Sequence, residues 1–409
     1  MIFITGSTGF LGNAVLSRLY TRYPHEKFLV LVRAENKEHA RKRIISEFKH
    51  LKEFGEETDI LKRIVPVQGD LESPSLGISQ KDREAIIKET ESIYHSAANT
   101  HLNLPLDQAK QVNLEGTREV LKLASEIVQC ISSELSFSQR RDNFRFNHIS
   151  TAYVAGDTTD IVSPDMLDVG KKFRNSYEQT KAEAEMLVRS HQDLFNIVVY
   201  RPSIIVGDSV TGMTSTFNVL YIPARLVIMG LLKVIPAFPH IPFDVVPVDY
   251  VAESIANSHS LRIPSGSAFH LSAGVGRESS PGEVLELLFH AAKSYSSRRI
   301  PQKPGFVSPD ILQRTINSMT HLASNLCHSS AYKNFEKIVC EHIPVFRQLL
   351  PFIPYMISNP RFDTNTTLKN LGCCVQPAPL FSTYAENIFR YCIESSWGKY
   401  SWGKAAKAT

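Results

Sequence analysis

Ile2-Phe-Ile-Thr5-Gly6-Ser7-Thr8-Gly9-Phe10-Leu11-Gly12 opens the chain. Four residues of strand-like character run into three glycines spaced G-x-x-G-x-x-G, and an amphipathic stretch follows over residues 12–20. Gly6 permits a tight turn off the strand. Gly9 lets the backbone approach a pyrophosphate with no Cβ in the way, and Gly12 allows close packing of the helix. The helix N-terminus then directs free N–H groups and a partial positive charge at the phosphates. Glycine spacing alone is a weak signal. A strand before it and a helix after it make it stronger. A glycine-rich turn without a ligand is the plain alternative.

Outward from this turn the chain alternates. Strands are expected at residues 2–5, 28–32, 64–68, 92–96, 144–150 and 197–201. Helices are expected at 12–20, 37–49, 106–128 and 176–191. Leu29-Val30-Leu31-Val32 is a continuous apolar run, as befits a parallel strand buried on both faces. The fold class is therefore α/β: a doubly wound parallel sheet of Rossmann type with a smaller, mainly helical C-terminal substrate region. The expected divisions are 1–210 for nucleotide binding, 211–300 for a substrate portion interleaved with that core, and 301–409 for a helical extension. A strand is expected at 243–248 and a short helix at 249–259. The tail carries Trp397-Gly-Lys399 and Trp402-Gly-Lys404 and is expected to fray.

The residue closing the second strand selects the nucleotide. An acidic residue there would accept from the ribose 2′-hydroxyl of NAD; this chain has Arg33, suited to the 2′-phosphate of NADP. Arg43 on the next helix is a candidate second clamp, or only a solvated residue. Thr8, Phe10 and Leu11 belong to the same phosphate turn. Asp70 and Leu71 follow the third strand, where an Asp side chain can meet an adenine amino group. Ala97 follows the fourth, among small residues that leave room for a dinucleotide. Both places also read as ordinary strand-end turns.

Tyr177-Glu-Gln-Thr-Lys181 sets a phenol and an ammonium at i and i+4 on one helix face. An ammonium beside a phenol lowers its pKa from about 10, and the same Lys can donate to ribose hydroxyls. Ser150-Thr151 ends the preceding strand, and the Thr151 and Tyr177 hydroxyls are two donors for one substrate oxygen. Asn113 is a candidate for bending a helix or holding a water, or an ordinary polar residue. His95 and His101 have no companions at ligand spacing, so they read as satisfied or surface histidines, and no metal is expected.

Composition excludes several classes. The chain has 409 residues, 43% hydrophobic and 21% charged, a globular composition with too much apolar content for disorder. Lys plus Arg total 45 against 41 Asp plus Glu, a net +4 without the dense basic patch of nucleic-acid binding. The six cysteines form no C-x-x-C pair, and a strand that begins at Met1 leaves no room for a leader; a reduced, cytoplasmic protein is expected. Residues 217–232 are strongly apolar but interrupted by Pro223 and Arg225, short of the roughly 20 residues of a membrane span. They read as a buried helix, an apolar substrate wall, or a surface in peripheral contact with lipid.

Taken together, Thr5-Gly-Ser-Thr-Gly-Phe-Leu-Gly12, Leu31-Val-Arg-Ala34, His148-Ile-Ser-Thr-Ala-Tyr153, Tyr177-Glu-Gln-Thr-Lys181 and Tyr200-Arg-Pro-Ser-Ile-Ile-Val-Gly207 resemble the extended short-chain dehydrogenase/reductases. Their wording is similar to the thioester reductase and fatty acyl-CoA reductase branch over about residues 1–255. The resemblance implies nucleotide contacts at Gly6, Gly9, Gly12, Arg33 and Arg43, and extends them to Arg201, Pro202 and Ser203. It implies catalysis by Thr151, Tyr177 and Lys181. It further implies NADPH-dependent reduction of an acyl group, carried on coenzyme A or a phosphopantetheinyl carrier protein, to an aldehyde and in some members an alcohol. An extended-family enzyme acting on a sterol-like alcohol, a flavonoid-like ketone or a nucleotide sugar remains an alternative. A non-catalytic NADP-binding regulator is another. With its first strand at Met1, the chain would take its acyl group from coenzyme A or a separate carrier.

Overall fold

Every residue of the first two strands is buried, β1 (Ile2–Thr5) as Ile-Phe-Ile-Thr and β2 (Phe28–Val32) as Phe-Leu-Val-Leu-Val. Strands covered on both faces belong in the middle of a parallel sheet. The computed structural model places them there. It describes residues 1–48, 57–130, 144–167, 172–217, 219–308 and 349–397.

Seven parallel strands form the sheet: β1, β2, β3 (Ile64–Gln68), β4 (Ser92–His95), β5 (Arg145–Ile149), β6 (Asn196–Pro202) and β7 (Ser267–Leu271), in the order β7-β6-β5-β4-β1-β2-β3. β1 pairs with β2 on one side (Ile2 with Phe28) and β4 on the other (Thr5 with His95). The winding direction reverses between β1 and β4. In open α/β sheets that reversal leaves a crevice at the carboxyl ends of the strands. β3 closes one edge, where Val65 is exposed and Pro66 costs little in lost ladder bonding.

Alternation within β1 assigns the two faces. Ile2 and Ile4 pack on helices Phe10–Arg22, Lys37–Phe48 and Val248–Asn257 through Leu16, Ile44 and Val251. Phe3 points to the other side, towards Ile86, Leu121, Ile127 and Val188 of helices Gln80–Glu89, Gly116–Cys130 and Ser176–Arg189. The expected helix over 106–128 is a composite. Leu106–Lys110 leads through a π turn at Gln111–Glu115 into Gly116–Cys130.

A separate apolar core lies beyond the carboxyl ends of β5 and β6. It joins Tyr153, Val206, Tyr221, Phe243, Leu285, Phe381 and Phe389. Its main helices are Tyr221–Ile228, Pro281–Tyr295 and Phe381–Glu394. Three two-stranded parallel pairs stitch it: Ile204–Val206 with Val245–Pro247, Val234–Pro236 with Gly305–Val307, and Ile161–Val162 with Arg361–Phe362. The apolar run 217–232 is a helix only over Tyr221–Ile228; residue 218 lies outside the described residues. Gly230 then turns the chain at a φ of +70°, and Met229 and Leu231 are exposed. β7 and the Val248–Asn257 helix return from the later part of the chain to complete the half built on the seven-stranded sheet. Part of the expected helical extension, residues 309–348, and the tail repeat from 398 lie outside the described residues. Among the described residues no helix is long and apolar enough to cross a membrane.

Candidate active site

β1 delivers the glycine turn to the crevice. Gly6 sits at φ +78°, and a Cβ there would lie 2.6 Å from the Ala97 nitrogen in the segment after β4. A Cβ on Gly12 would run into the Gly6 carbonyl, so the first turn of the helix packs directly on the loop. The Gly9 amide donates to the Gly6 carbonyl at 2.9 Å. Gly9 caps the Phe10–Arg22 helix without a side-chain hydrogen bond, and no acidic residue stands in the first turn. The N–H groups of Phe10, Leu11 and Gly12 are therefore left to an anion. Ser7 Oγ is buried beside them with no partner.

One corner of this turn is basic. The Arg43 guanidinium donates to the Arg33 carbonyl and reaches Thr8 Oγ1 at 3.5 Å. The Arg33 side chain is 73% exposed and stands 3.7 Å from Glu72. Asp70 is a strand-end turn residue: its carboxylate accepts from the Glu72 amide at 3.1 Å and its own amide donates to the Leu76 carbonyl at 2.7 Å. Leu71 packs against Gly116. The Ala97 amide donates to Thr5 Oγ1 at 3.3 Å, closing the floor between β1 and β4.

Thr151 follows β5 and caps the short helix Ala152–Ala155, accepting from the Tyr153 amide at 3.3 Å. Its hydroxyl donates to the Pro202 carbonyl at 3.4 Å, linking it to the end of β6. Tyr177 lies one residue inside the Ser176–Arg189 helix, which Asn175 caps by accepting from the Glu178 amide at 3.0 Å. Burial raises the Tyr177 phenol to about 12, against a lowering hydrogen bond with the Thr151 side chain. Lys181 Nζ donates to the Ile149 carbonyl at 2.7 Å, and burial pulls its pKa down to about 8. The expectation that Lys181 lowers the phenol is thus corrected. Burial of the phenol wins, and the ammonium is turned to a β5 carbonyl. At neutral pH the phenol keeps its proton and is a donor.

Asn113 lies in the π turn and is buried. Its Nδ2 donates to Thr180 Oγ1 at 3.0 Å and the Asn99 carbonyl at 3.1 Å, and its Oδ1 accepts from the Asn99 amide at 2.8 Å. It ties the loop after β4 to the Tyr177 helix, an anchoring contact between protein groups.

Arg201 needs a second correction. Expected to face the nucleotide, its side chain is fully buried. It grips Glu185 through Nε at 3.0 Å and Nη2 at 2.7 Å, and donates to the Pro164 and Met166 carbonyls at 3.0 and 2.8 Å. Glu185 also accepts from Ser150 Oγ at 2.7 Å and Arg189 Nε at 2.9 Å. Burial works against ionisation of Glu185, but Arg201, Arg189 and Ser150 outweigh it and hold the carboxyl below its ordinary value. Arg201 is a strut beneath Ser150-Thr151. Ser203 makes a comparable internal contact, its hydroxyl donating to Asp244 Oδ1 at 2.6 Å. The Ala273 amide donates to the same oxygen at 2.9 Å. Burial raises Asp244 to about 6.

His95 is buried between two hydroxyls, Nδ1 to Thr5 Oγ1 at 2.7 Å and Nε2 to Thr117 Oγ1 at 2.9 Å. Burial takes its pKa to about 3, so it is neutral. His101 is exposed. Among the described residues no group of three metal-binding side chains converges.

Sequence reasoning missed Glu185, Asp244 and Tyr355. Tyr355 donates to Glu178 Oε1 at 2.7 Å and accepts from Asn175 Nδ2 at 2.8 Å, gripping the start of the Tyr177 helix. Glu185 carried a signal, standing four residues after Lys181 and four before Arg189 on one face. The other two come together only through tertiary contacts.

Residues 4–255 match the family model described as male sterility protein. Fatty acyl-CoA reductase 2 of Mus musculus is 27% identical over 275 residues, covering 61% of this chain and 52% of the relative. Fatty acyl-CoA reductase 1 of Homo sapiens is 29% identical over 287 residues, with 61% and 52% covered. The chain thus spans about half the length of the curated relatives it matches. The terminal R domain of the myxalamid PKS-NRPS biosynthetic pathway superposes with a TM-score of 0.73 at 22% identity, covering 98% of this chain and 92% of that one. The reductase domain of a nonribosomal peptide synthetase from Mycobacterium tuberculosis gives 0.64 at 19% identity, covering 96% and 91%. At these identities the structural likeness speaks for the fold alone, while the family match covers more than half of the chain. This protein belongs to the male sterility protein family, and its fold is a doubly wound parallel sheet of Rossmann type.

Proposed function

We propose that this protein is an NADPH-dependent reductase of acyl thioesters, taking its acyl group from coenzyme A or a phosphopantetheinyl carrier protein and releasing an aldehyde or, after a second reduction, an alcohol. The observation that carries the reading is the Thr151–Tyr177 pair of hydroxyls at the carboxyl edge of the sheet, reached by a glycine turn with an uncapped helix N-terminus. The printed names of the curated relatives point to the same substrate class.

The residues present fit a dinucleotide. The uncapped N–H groups of Phe10, Leu11 and Gly12 and the orphaned Ser7 hydroxyl suit a pyrophosphate. Thr8, Arg33 and Arg43 suit a 2′-phosphate, for which a forked guanidinium provides charge-assisted hydrogen bonds. Asp70, Leu71 and Ala97 form the wall along which the adenosine half would lie. Pro202 and Ser203 border the nicotinamide end. Bound NADPH would supply a hydride for the thioester carbon.

Tyr177 and Thr151 then act on the substrate oxygen. Both donate as negative charge develops, which is where fixed donors lower a barrier most. Tyr177 gives up its proton to that oxygen. The hemithioacetal collapses by breaking its C–S bond: the hydroxyl proton passes to the departing sulfur, the thiol leaves, the aldehyde carbonyl forms, and Tyr177 regains a proton from solvent. Lys181, released from the Ile149 carbonyl, donates to ribose hydroxyls and stabilises the phenolate left on Tyr177. Glu185, Arg201 and Ser150 keep the end of β5 in place beneath the pair. The test is oxidation of NADPH and of NADH with a panel of acyl-CoAs and acyl carrier proteins. Oxidation of NADPH with at least one thioester supports the reading. Silence with all of them, or a preference for NADH, contradicts it.

A further inference from the structure

Between the Tyr221–Ile228 and Pro281–Tyr295 helices lies a cavity of about 60 Å³, lined entirely by apolar residues, among them Leu220, Ala224, Leu232, Phe243, Leu288 and Met356. No lining residue offers a side-chain polar group, so only a hydrocarbon can fill it without leaving polar atoms unpaired. The lining positions Pro281, Val284, Leu285 and Leu288 lie on one face of their helix. The seven steps of helix rise from Pro281 to Leu288 spread this wall over roughly 10 Å.

Two of its walls adjoin the reacting end. Phe243 precedes Asp244, whose carboxylate holds the Ser203 hydroxyl beside Pro202. Met356 follows Tyr355, whose hydroxyl bridges Asn175 and Glu178 on either side of Tyr177. The Tyr355 ring also stands edge-on to Tyr153, two residues past Thr151, with centroids 5.2 Å apart. Two lining residues, Phe243 and Met356, are thus the chain neighbours of Asp244 and Tyr355, which hold the segments around the Thr151–Tyr177 pair. Exposed Met229, Leu231 and Phe238 flank lining residues in the chain or, for Phe238, by a backbone hydrogen bond to Met356 at 3.1 Å, which makes an apolar surface beside it.

We infer that this cavity receives the hydrocarbon chain of the acyl thioester, and that Ala224 and Leu288 set how long a chain is accepted. The inference rests on the thioester reading and specifies it. Ala224 has the smallest side chain in the wall of the Tyr221–Ile228 helix, so a larger residue there shortens the space. Leu288 belongs to the facing helix, and its truncation lengthens it.

The experiment compares wild type, Ala224→Leu and Leu288→Ala over a ladder of saturated acyl-CoAs from short to long. It measures kcat/KM with NADPH, and binding of dodecanoic acid by displacement of a fluorescent fatty acid. Ala224→Leu is expected to lower the long-to-short ratio of kcat/KM at least tenfold and to weaken dodecanoic acid. Leu288→Ala is expected to move the optimum to longer chains, and it carries the test if Ala224→Leu does not fold. Unchanged ladders in variants that melt cooperatively overturn the inference and leave thioester reduction standing; a higher melting temperature for Ala224→Leu with the same ladder identifies a packing void. If wild type oxidises NADPH with no thioester, the thioester reading falls, and binding decides the cavity by itself. Dodecanoic acid bound by wild type and lost in Ala224→Leu retains it as a hydrocarbon site, and equal or absent binding removes it.

Discussion

The nucleotide half and the apolar core beyond it are built on different terms. In the first, local sequence sets the conformation. Gly6 and Gly12 stand where a Cβ would strike the Ala97 backbone and the Gly6 carbonyl, and buried β1 and β2 have few alternatives to a central parallel pair. In the second, three helices separated by long stretches of chain meet through apolar packing and a hydrogen bond from Tyr295 to Glu386 at 2.6 Å, with three short strand pairs between them. The conformation of the first half is set by residues close in sequence. The second is shaped by which side chains happen to fill it, and there a change of one residue alters volume more than architecture. The proposed chemistry belongs to the seam, where Thr151 leans on Pro202 from one side and Tyr355 grips the Tyr177 helix from the other.

Substitutions at the seam have the largest expected effect. Tyr177→Phe removes the proton donor and is expected to lower kcat by about 10²–10⁴-fold while NADPH binding by fluorescence persists. Activity within a few-fold of wild type would move the proton donor elsewhere. The strut beneath the seam comes next. Glu185→Ala leaves the buried Arg201 without its counter-charge, which costs about 3–5 kcal/mol, readable by urea unfolding. The double replacement Glu185→Leu with Arg201→Met is expected to recover much of that loss, because the desolvation penalty disappears with both charges.

In the nucleotide half, Arg43→Ala removes a cation from the Thr8–Arg33 corner. It is expected to weaken NADPH by about 1.5–3 kcal/mol and to leave NADH binding nearly unchanged; equal loss for both would place Arg43 in a purely structural role. The smallest effect concerns Asp244, on the border of the second core. Its folded pKa of about 6 is above its unfolded value, so the group favours the folded state when protonated, and that contribution is lost as pH rises from about 4 through 6. Asp244→Asn keeps an acceptor for Ser203 and Ala273. It is expected to flatten stability over that window by on the order of 2 kcal/mol, a comparison made by thermal melts at pH 4 to 7.

This contrast also governs what the sequence could disclose. The strands of the nucleotide half through β6 were legible from apolar runs and glycine spacing, with bounds differing by a residue or so. β7 was not: Ser267-Ala-Phe-His-Leu271 lies past the regularly alternating part of the chain and pairs with a distant segment at Val198–Pro202. The Tyr177/Lys181 spacing was legible as a motif, yet spacing does not fix direction: Lys181 turns to the Ile149 carbonyl. Arg201 looked like a cation for a phosphate because nothing near it in sequence announces Glu185, which meets it only when β6 packs under the Ser176–Arg189 helix. Lys181, Glu185 and Arg189 stand at four-residue spacing on one face, and Lys181 and Glu185 on it are buried. Asp244 and Tyr355 depend on contacts across the two halves.

Thioester reduction at this site requires coupling between nicotinamide oxidation and C–S bond cleavage. The measurement is simultaneous titration of free thiol and NADPH during turnover of an acyl-CoA. We expect one thiol released for each one or two NADPH oxidised, with both falling together in Tyr177→Phe. NADPH consumed without thiol, or thiol released without NADPH, would contradict a hydride delivered to a thioester held by Thr151 and Tyr177.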